Sequence, residues 1–265
     1  MNQQPAASDQ KPIAHNHLTA IILAHNEAKH IQACIETLDF ADRIIVFESF
    51  STDNTVDLAK AAGADVIQHE FENFASQRNA ALDAVAGQTD WVLFVDADER
   101  VTPELAAEVR QKITTPWQVV GYGIPRHNYI AGKLTKGAGW YPDHQTRLLK
   151  SGYAHYDPQR KVHETVILDG DEAQLVNHFI HFNYESMAQF REKQARYLPF
   201  DVQMMFDDGI RPKPQNYILQ PLRHFKWRFF ELRGYQDGWH GLRLSALMAW
   251  YELRKYLLLR QKLKG

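Results

Sequence analysis

The chain has 265 residues, 45% hydrophobic and 23% charged, which fits one large globular domain or one domain with an extension. Cys34 is the only cysteine, so an internal disulfide and a cysteine-based metal cluster are both excluded. The net charge of −2 is uneven: from Arg211 onward 12 Lys and Arg face 3 Asp and Glu, giving that tail +9 and the remainder −11.

Residues 1–17, "MNQQPAASDQKPIAHNH", are polar and have no apolar signal-peptide core, so a flexible leader is expected. No apolar run reaches the roughly 18–20 residues of a spanning helix. "LTAIILAH" (18–25) is a short β-branched run that reads as a buried strand. Ile31, Cys34, Ile35 and Leu38 then recur at helical spacing. "RIIVFES" is a second strand, and "STDNTVDLAKAAG" a helix closed by Gly63. "ADVIQHEF" is a third strand, "ASQRNAALDAV" a helix closed by Gly87, and "DWVLFVDAD" a fourth strand. Thr102 and Pro103 then open the helix "ELAAEVRQKI". Strand-helix alternation of this kind implies an α/β fold, a mainly parallel sheet with helices on both faces.

From about residue 115 the pattern changes. "GYGIPRHNYIAG" and "QTRLLKSGYAHY" read as antiparallel strands, and "KVHETVIL" as another. "HFIHFNYESMAQFREKQARYL" reads as the start of a helical region, interrupted at Pro212, Pro214 and Pro221, that runs to the C-terminus. The expected division is a catalytic domain over 18–185 and a basic, amphipathic helical extension over 186–265.

Ligands of such sheets bind beyond the carboxyl ends of the strands. Three polar clusters fall there: Asn26-Glu27, Glu48 to Ser51, and Asp96-Ala97-Asp98 followed by Glu99. Grouped carboxylates repel one another and are costly to desolvate, so a positive partner is expected among Asp96, Asp98 and Glu99, most simply a divalent cation. The turn after the first strand, "AHNEAKH", has no glycine, which argues against a dinucleotide fingerprint and against an enzyme that makes nucleotide sugars. No phosphate-binding Walker loop is present either. What fits is a nucleotide held by side chains and by Mg²⁺ or Mn²⁺, the hard, oxygen-preferring ions.

"AIILAHNEAKHI", "VFESFSTDNTVDLAKAAGADVI", "FASQRNAALDAV", "WVLFVDADE", "QTRLLK" and "VHE" resemble, in order, the motifs of family 2 glycosyltransferases with the GT-A fold. Within that family the chain looks most like bacterial lipopolysaccharide-core glucosyltransferases and related envelope-glycan enzymes. The resemblance implies that Glu27 and Glu48 line the nucleoside pocket, Glu48 standing where the family usually has Asp. It places Arg78 at the base or diphosphate, Asp96 on ribose or metal, and Asp98 on the metal. It makes Glu164 the general base, with His163 beside it. Gln145 and Arg147 would border the acceptor or diphosphate, and His181 is a candidate to complete the metal site. One base, and no second carboxylate for a covalent intermediate, implies a single displacement with inversion.

The donor implied is a UDP-sugar, glucose above all, and the acceptor a lipid-linked or other envelope glycan; no nucleic-acid partner is expected. A catalytically degenerate binding domain is the rival reading, and retention of Asp96, Asp98 and Glu164 argues against it. Asp53 reads as a helix-start residue and Arg126 as structural. "KLTKGAGWYPDH" reads either as a plain surface loop or as a mobile lid whose Trp140-Tyr141 stacks on sugar. Leu247, Trp250, Tyr251, Leu253, Leu257 and Leu258 can share one helical stripe, which either packs on the catalytic domain or lies in an anionic leaflet. The second option puts the protein in the cytoplasm, peripheral on the inner face of the inner membrane.

Overall fold

The computed structural model describes residues 16–114, 119–158 and 165–264. The element order is β1 (Leu18–Ala24), α1 (Ile31–Ile35), β2 (Arg43–Glu48), α2 (Thr55–Ala61), β3 (Asp65–Gln68), α3 (Phe74–Ala84), β4 (Trp91–Asp96), β5 (Glu99–Val101) and α4 (Pro103–Ile113). There follow β6 (Val119–Ile130), β7 (Lys133–Leu134), β8 (His144–Lys150), β9 (Ala154–Tyr156), β10 (Val166–Leu168), β11 (Asp171–Gln174) and β12 (Phe179–Tyr184). The C-terminal part is helical: α5 (Met187–Asp207), α6 (Asn216–Lys226), a π-turn at Trp227–Glu231, a 3-10 turn at Gly234–Asp237 and α7 (Gly238–Lys262). The class is α/β, as the alternation of patterns predicts.

The chain forms two compact units. The first is Met1–Val95, Pro103–Tyr122 and Arg147–Ala173; the second is Asp96–Thr102, Gly123–Thr146 and Gln174–Gly265.

In the first unit β2 pairs in parallel with both β1 and β3, β4 neighbours β1, and β8 pairs antiparallel with β4. Six of the seven β1 residues are buried, because helices cover both faces of a parallel sheet and leave no solvent side. Ile21, Ile45, Phe47, Val92, Phe94 and Leu149 of the strands meet Ala75, Ala81 and Val85 of the α3 region in one core. Each large side chain removed from water there contributes about 1.5–3 kcal/mol. Helix α3 starts where Asn73 accepts the N–H of Ser76 (2.9 Å). Helix α2 stops at Gly63, whose φ of +88° suits glycine.

In the second unit β12 lies between β6, parallel to it, and β5, antiparallel to it. This corrects the sequence expectation that 178–185 begins a helix. "HFIHFNY" puts Phe179 and His181 on the covered side, with Ile180 and Phe182 between them less buried. That is the period of a strand, not of a helix. The helix starts later, at Ser186, whose hydroxyl accepts the Gln189 N–H (3.1 Å) while the Gln189 side chain accepts the N–H of Glu185 (2.7 Å). Pro221 does not interrupt the helical region either: it lies inside α6, and Pro199 lies inside α5. Pro212 and Pro214 do lie in the break between α5 and α6, and a second break comes at the π-turn and at Arg233, which has a positive φ of 54°.

The α7 stripe packs in part. Leu247 joins a cluster of Ile130, Tyr184, Phe190 and Leu244, and the Tyr251 hydroxyl donates to Arg191 O (3.0 Å). Among the described residues no helix is long and apolar enough to cross a membrane.

Candidate active site

In the first unit the ends of β1 and β2 are tied into one rigid turn system. Ser49 N–H donates to Ala24 O (3.0 Å), and His25 Nδ1 is 2.8 Å from Ser49 O. Asn26 N–H donates to the Ser51 hydroxyl (2.8 Å), while Asn26 Oδ1 accepts the Thr52 N–H (2.8 Å). Glu27, half-buried, donates its N–H to the Thr55 hydroxyl (2.8 Å). Asp53 accepts the N–H groups of Thr55 (3.0 Å) and Ala28 (3.2 Å), so it acts at the helix start. The Thr55 hydroxyl is the main reason that the Asp53 carboxyl sits below its usual range.

Glu48 is fully buried. Its carboxylate accepts the N–H groups of Phe50 (3.0 Å) and Ser51 (2.5 Å) and the Gln68 amide (3.0 Å). Burial alone would raise its pKa; these hydrogen bonds outweigh burial and lower it, so the group stays charged. With no exposed surface, Glu48 organises the turn. What the turn presents is Phe50, 56% exposed and held at a φ of +53°. A bulky residue in that region is strained, and such strain gathers at functional sites. The sequence reading missed Phe50; an exposed aromatic between a strand end and the "STDNT" helix start was its signal. Arg78 is buried on α3, its guanidinium 4.9 Å from the Phe94 ring and 5.7 Å from Tyr156. Arg147, on β8, is also buried.

The second unit holds the acidic cluster, and there the three carboxylates separate. Glu99 is fully buried, accepts the Asp96 N–H (3.0 Å) and pairs with Arg126 (3.4 Å). Arg126 also grips Asp143 at 2.6 Å. Burial pushes the Asp143 carboxyl up, but Arg126 and the amides of Asn128 and Gln145 hold it below its usual range. Arg126 is therefore a positive partner of Glu99 inside the protein, while Asp98 turns to His181. The Gln145 amide donates to Asp143 Oδ1 (2.9 Å).

His181 is carried to Asp98 by the strand register: it pairs with Glu99, and the Phe182 N–H donates to Asp98 O (2.9 Å). Its Nε2 lies 3.4 Å from Asp98 Oδ2. Its Nδ1 lies 2.6 Å from Oδ1 of the fully buried Asn128. The Asn128 amide is oriented by its other end, which donates to Trp140 O (2.7 Å) and Asp143 Oδ2 (3.1 Å). Oδ1 can only accept, so Nδ1 carries the proton and Nε2 is the atom turned to Asp98. A carboxylate oxygen and an imidazole nitrogen facing each other at this distance form an oxygen and nitrogen donor pair for a cation, with the outer hydrogen bond a ligating histidine needs. Asn128 and Asp143 were missed in the sequence. Their signal was faint: Arg126 and Asn128 are polar residues two apart in an otherwise apolar strand.

Trp140 is turned inward in the second unit. Its ring packs on Tyr184 (5.9 Å) and Phe190 (6.1 Å), while Tyr141 beside it is 40% exposed. The segment is also clamped: Lys136 and Gly137 donate to Asp237 (2.9 and 2.8 Å), and Arg228 donates to Ala138 O (2.6 Å). These contacts hold Trp140 inward and leave Tyr141 as the exposed ring of the loop. Glu164 and His163 lie outside the described residues.

Residues 19–196 match the model of the family described as Glycosyl transferase family 2. The chain is 26% identical over 235 residues to the lipopolysaccharide core biosynthesis glycosyltransferase LpsC of Rhizobium meliloti, covering 84% of each. It is 36% identical over 93 residues to an uncharacterized glycosyltransferase of Rickettsia bellii, covering 35% of this chain and 31% of that one. Among solved structures it is similar to glucosyl-3-phosphoglycerate synthase from Mycobacterium tuberculosis in complex with Mn²⁺, UDP and phosphoglyceric acid. That match has a TM-score of 0.49 and 17% identity, over 76% of this chain and 81% of that chain. The family match spans well over half of the sequence and includes the strand-helix alternation and the D-x-D that ends β4, so the chain belongs to glycosyltransferase family 2, enzymes of the GT-A fold.

Proposed function

We propose that the chain is an inverting, metal-dependent transferase that moves a hexose, glucose from a UDP-sugar, onto a lipopolysaccharide-core or related envelope glycan. The observation that carries the metal-dependent reading is the Asp98–His181 pair, with Asn128 holding the Nδ1 proton. Similarity to LpsC along most of both chains supports the acceptor class.

The donor set suits Mg²⁺ or Mn²⁺. Among the described residues no group of three or more His, Cys, Asp or Glu is arranged to hold an ion. Two protein ligands with the remaining positions left to substrate phosphates is the usual way these ions are bound at nucleotide sites. When bound, the ion offsets the charge that grows on the departing nucleoside diphosphate. Asp98 and His181 would hold it, and Asp96 would meet the ribose or the same ion. Phe50, with Glu48 fixing its turn, offers a flat face to the base, and Glu27 borders that turn. Arg78 and Arg147 supply positive charge toward the diphosphate, and Gln145 and Tyr141 flank the acceptor.

Glu164 acts as the base. Its carboxylate takes the proton of the acceptor hydroxyl as that oxygen bonds to the anomeric carbon, and the bond to the diphosphate breaks with its electron pair. An acceptor built on lipid would be met at the cytoplasmic face of a membrane, with the protein bound peripherally.

The test is a thermal-shift screen of nucleotide sugars with and without Mn²⁺, followed by transfer to isolated core glycan. A UDP-sugar shift that needs Mn²⁺ and vanishes in Asp98→Ala supports the proposal. An equal shift in the presence of a chelator refutes the metal role.

A further inference from the structure

Helix α6 buries none of its residues. Ile218 is 66% exposed and Leu222 60%, and four residues apart they share one face. Phe225 and Phe229 continue that face at helical spacing and stack at 5.5 Å. Phe230 (56% exposed) and Trp239 (80%) add aromatic surface in the segments that follow. An amphipathic helix in a folded protein normally turns such a stripe to the core; this one turns it outward.

Beside the start of α6 is a cavity of about 410 Å³ lined by Arg211, Pro212, Pro214, Tyr217, Arg260, Leu263 and Lys264. Three of the seven are cations and none is an acid. Among the described residues Arg211, Arg260 and Lys264 carry no ion pair with a carboxylate. The Arg260 guanidinium instead lies 5.9 Å from the Tyr217 ring, and Arg211 lies 6.0 Å from Phe206. Cations arranged on aromatic rings around a hollow, unneutralised from within, form a seat for an anion from outside. Arg223, exposed on α6, adds positive charge beyond the pocket, and Lys226, also exposed, is paired with Glu231 (3.6 Å).

We infer that this face docks on an anionic bilayer leaflet: a lipid phosphate enters the Arg211–Arg260–Lys264 pocket while Ile218, Leu222, Phe230 and Trp239 enter the headgroup–acyl boundary. The occupant is a lipid and not a free phosphate, because the cationic hollow opens at the foot of an exposed apolar helix. A free anion would leave that helix in water. The inference deepens the peripheral-membrane part of the proposed function and rests on it. It shares no residue with the proposed catalytic site, so the two can fail separately.

The test is sedimentation of the full chain with phosphatidylcholine vesicles, with and without phosphatidylglycerol, at low and high salt. Binding is expected only to the anionic vesicles and should weaken with salt. Arg211→Ala with Arg260→Ala should lower the partition coefficient about 30-fold, about 2 kcal/mol for two cations at an anionic surface. Ile218→Ser with Leu222→Ser should lower it about 100-fold. Lys264→Ala, at an exposed side chain, should lower it about 5-fold with no effect on folding. Hydrolysis of free UDP-sugar and the Tm should not change in any of these variants. Equal binding to neutral vesicles overturns the inference. So does tight binding of inorganic phosphate without vesicle binding, or a dimer that Ile218→Ser with Leu222→Ser dissolves in a protein that ignores vesicles. A protein that binds anionic vesicles as expected but hydrolyses no nucleotide sugar would refute the transferase reading and leave the docking face standing.

Discussion

Asn128 is the sharpest place to test the site, because it is buried, makes no proposed ligand contact and still decides what His181 can bind. Asn128→Leu keeps the volume and removes both ends of the amide. His181 Nδ1, at 2.6 Å, loses its acceptor, and Trp140 O, at 2.7 Å, loses its donor. Two buried polar groups without partners cost about 1–3 kcal/mol each, so stability should fall by about 2–5 kcal/mol. The imidazole is then free to put its proton on either nitrogen. Loss of such an outer hydrogen bond typically costs about 10–100-fold in metal affinity. Asn128→Asp separates the two effects. It keeps an acceptor for Nδ1 but sets a carboxylate against Asp143 Oδ2, the amide's partner at 3.1 Å. Stability should fall again, while Mn²⁺ affinity stays near wild type. The assays are chemical denaturation, Mn²⁺ titration with UDP present, and ¹⁵N spectroscopy of the His181 ring. Wild-type neutral His181 should carry its proton on Nδ1. A proton on Nε2, or wild-type Mn²⁺ affinity in a folded Asn128→Leu protein, refutes the reasoning.

Three further outcomes are expected. Glu164→Gln should leave UDP-sugar affinity intact and lower kcat by about 10²-fold or more, the usual range for a general base; lost donor binding at unchanged kcat would move Glu164 to the donor site. Phe50→Gly should weaken UDP binding by about 1–3 kcal/mol if the ring stacks on the base, without lowering the Tm, because glycine relieves the positive φ; calorimetry and thermal melts read the two separately, and unchanged UDP affinity rules the stacking out. Burial, aided by Arg228, lowers the pKa of His224 from 6.5 to about 4, and burial with His178 lowers that of His127 to about 4. Both folded pKa values lie below the unfolded ones, so their contribution is present above about pH 6.5 and is lost as pH falls toward 4. Denaturation at stepped pH should show that loss, and His224→Gln, which can still accept from Arg228, should flatten it.

The first half of the fold was legible because its signals are local. Runs such as "AIIL" and "WVLFV" can only be covered strands, and Gly63 and Gly87 mark helix ends with backbone that other residues avoid. The segment 178–185 was misread because "HFIHFNYES" leads into a true helix and its few apolar residues fit either period. What decides it is tertiary: β5 and β6 flank it on both sides. The packing of Trp140 was hidden for a related reason. An aromatic in a glycine-rich loop looks exposed until Tyr184 and Phe190, more than forty positions away, are seen to pack on it. The D-x-D was legible as two carboxylates at the end of a strand. Its setting was not, since Arg126 and Asn128 of β6 meet His181 only through pairing of β6, β12 and β5, and meet Asp143 only through hydrogen bonds from β6.

That setting changes what a cluster of three acids means. On sequence grounds a cation is expected among Asp96, Asp98 and Glu99, and the family resemblance puts Asp98 on it. In the structure Glu99 has no exposed surface, holds the Asp96 N–H and is matched by Arg126, so its charge is already met inside the protein. Glu99→Gln should therefore cost about 1–3 kcal/mol of stability, because Arg126 keeps only Asp143, yet leave Mn²⁺ affinity near wild type. Asp98→Asn should do the reverse. Asp98 is partly exposed and its Oδ2 faces His181 Nε2, so the amide removes a ligand and little else. Denaturation and Mn²⁺ titration on the two variants give a crossed result only if the acids are divided in this way. If Glu99→Gln loses Mn²⁺ while Asp98→Asn keeps it, the ion sits deeper than the Asp98–His181 pair and Arg126 is not the counterion of Glu99.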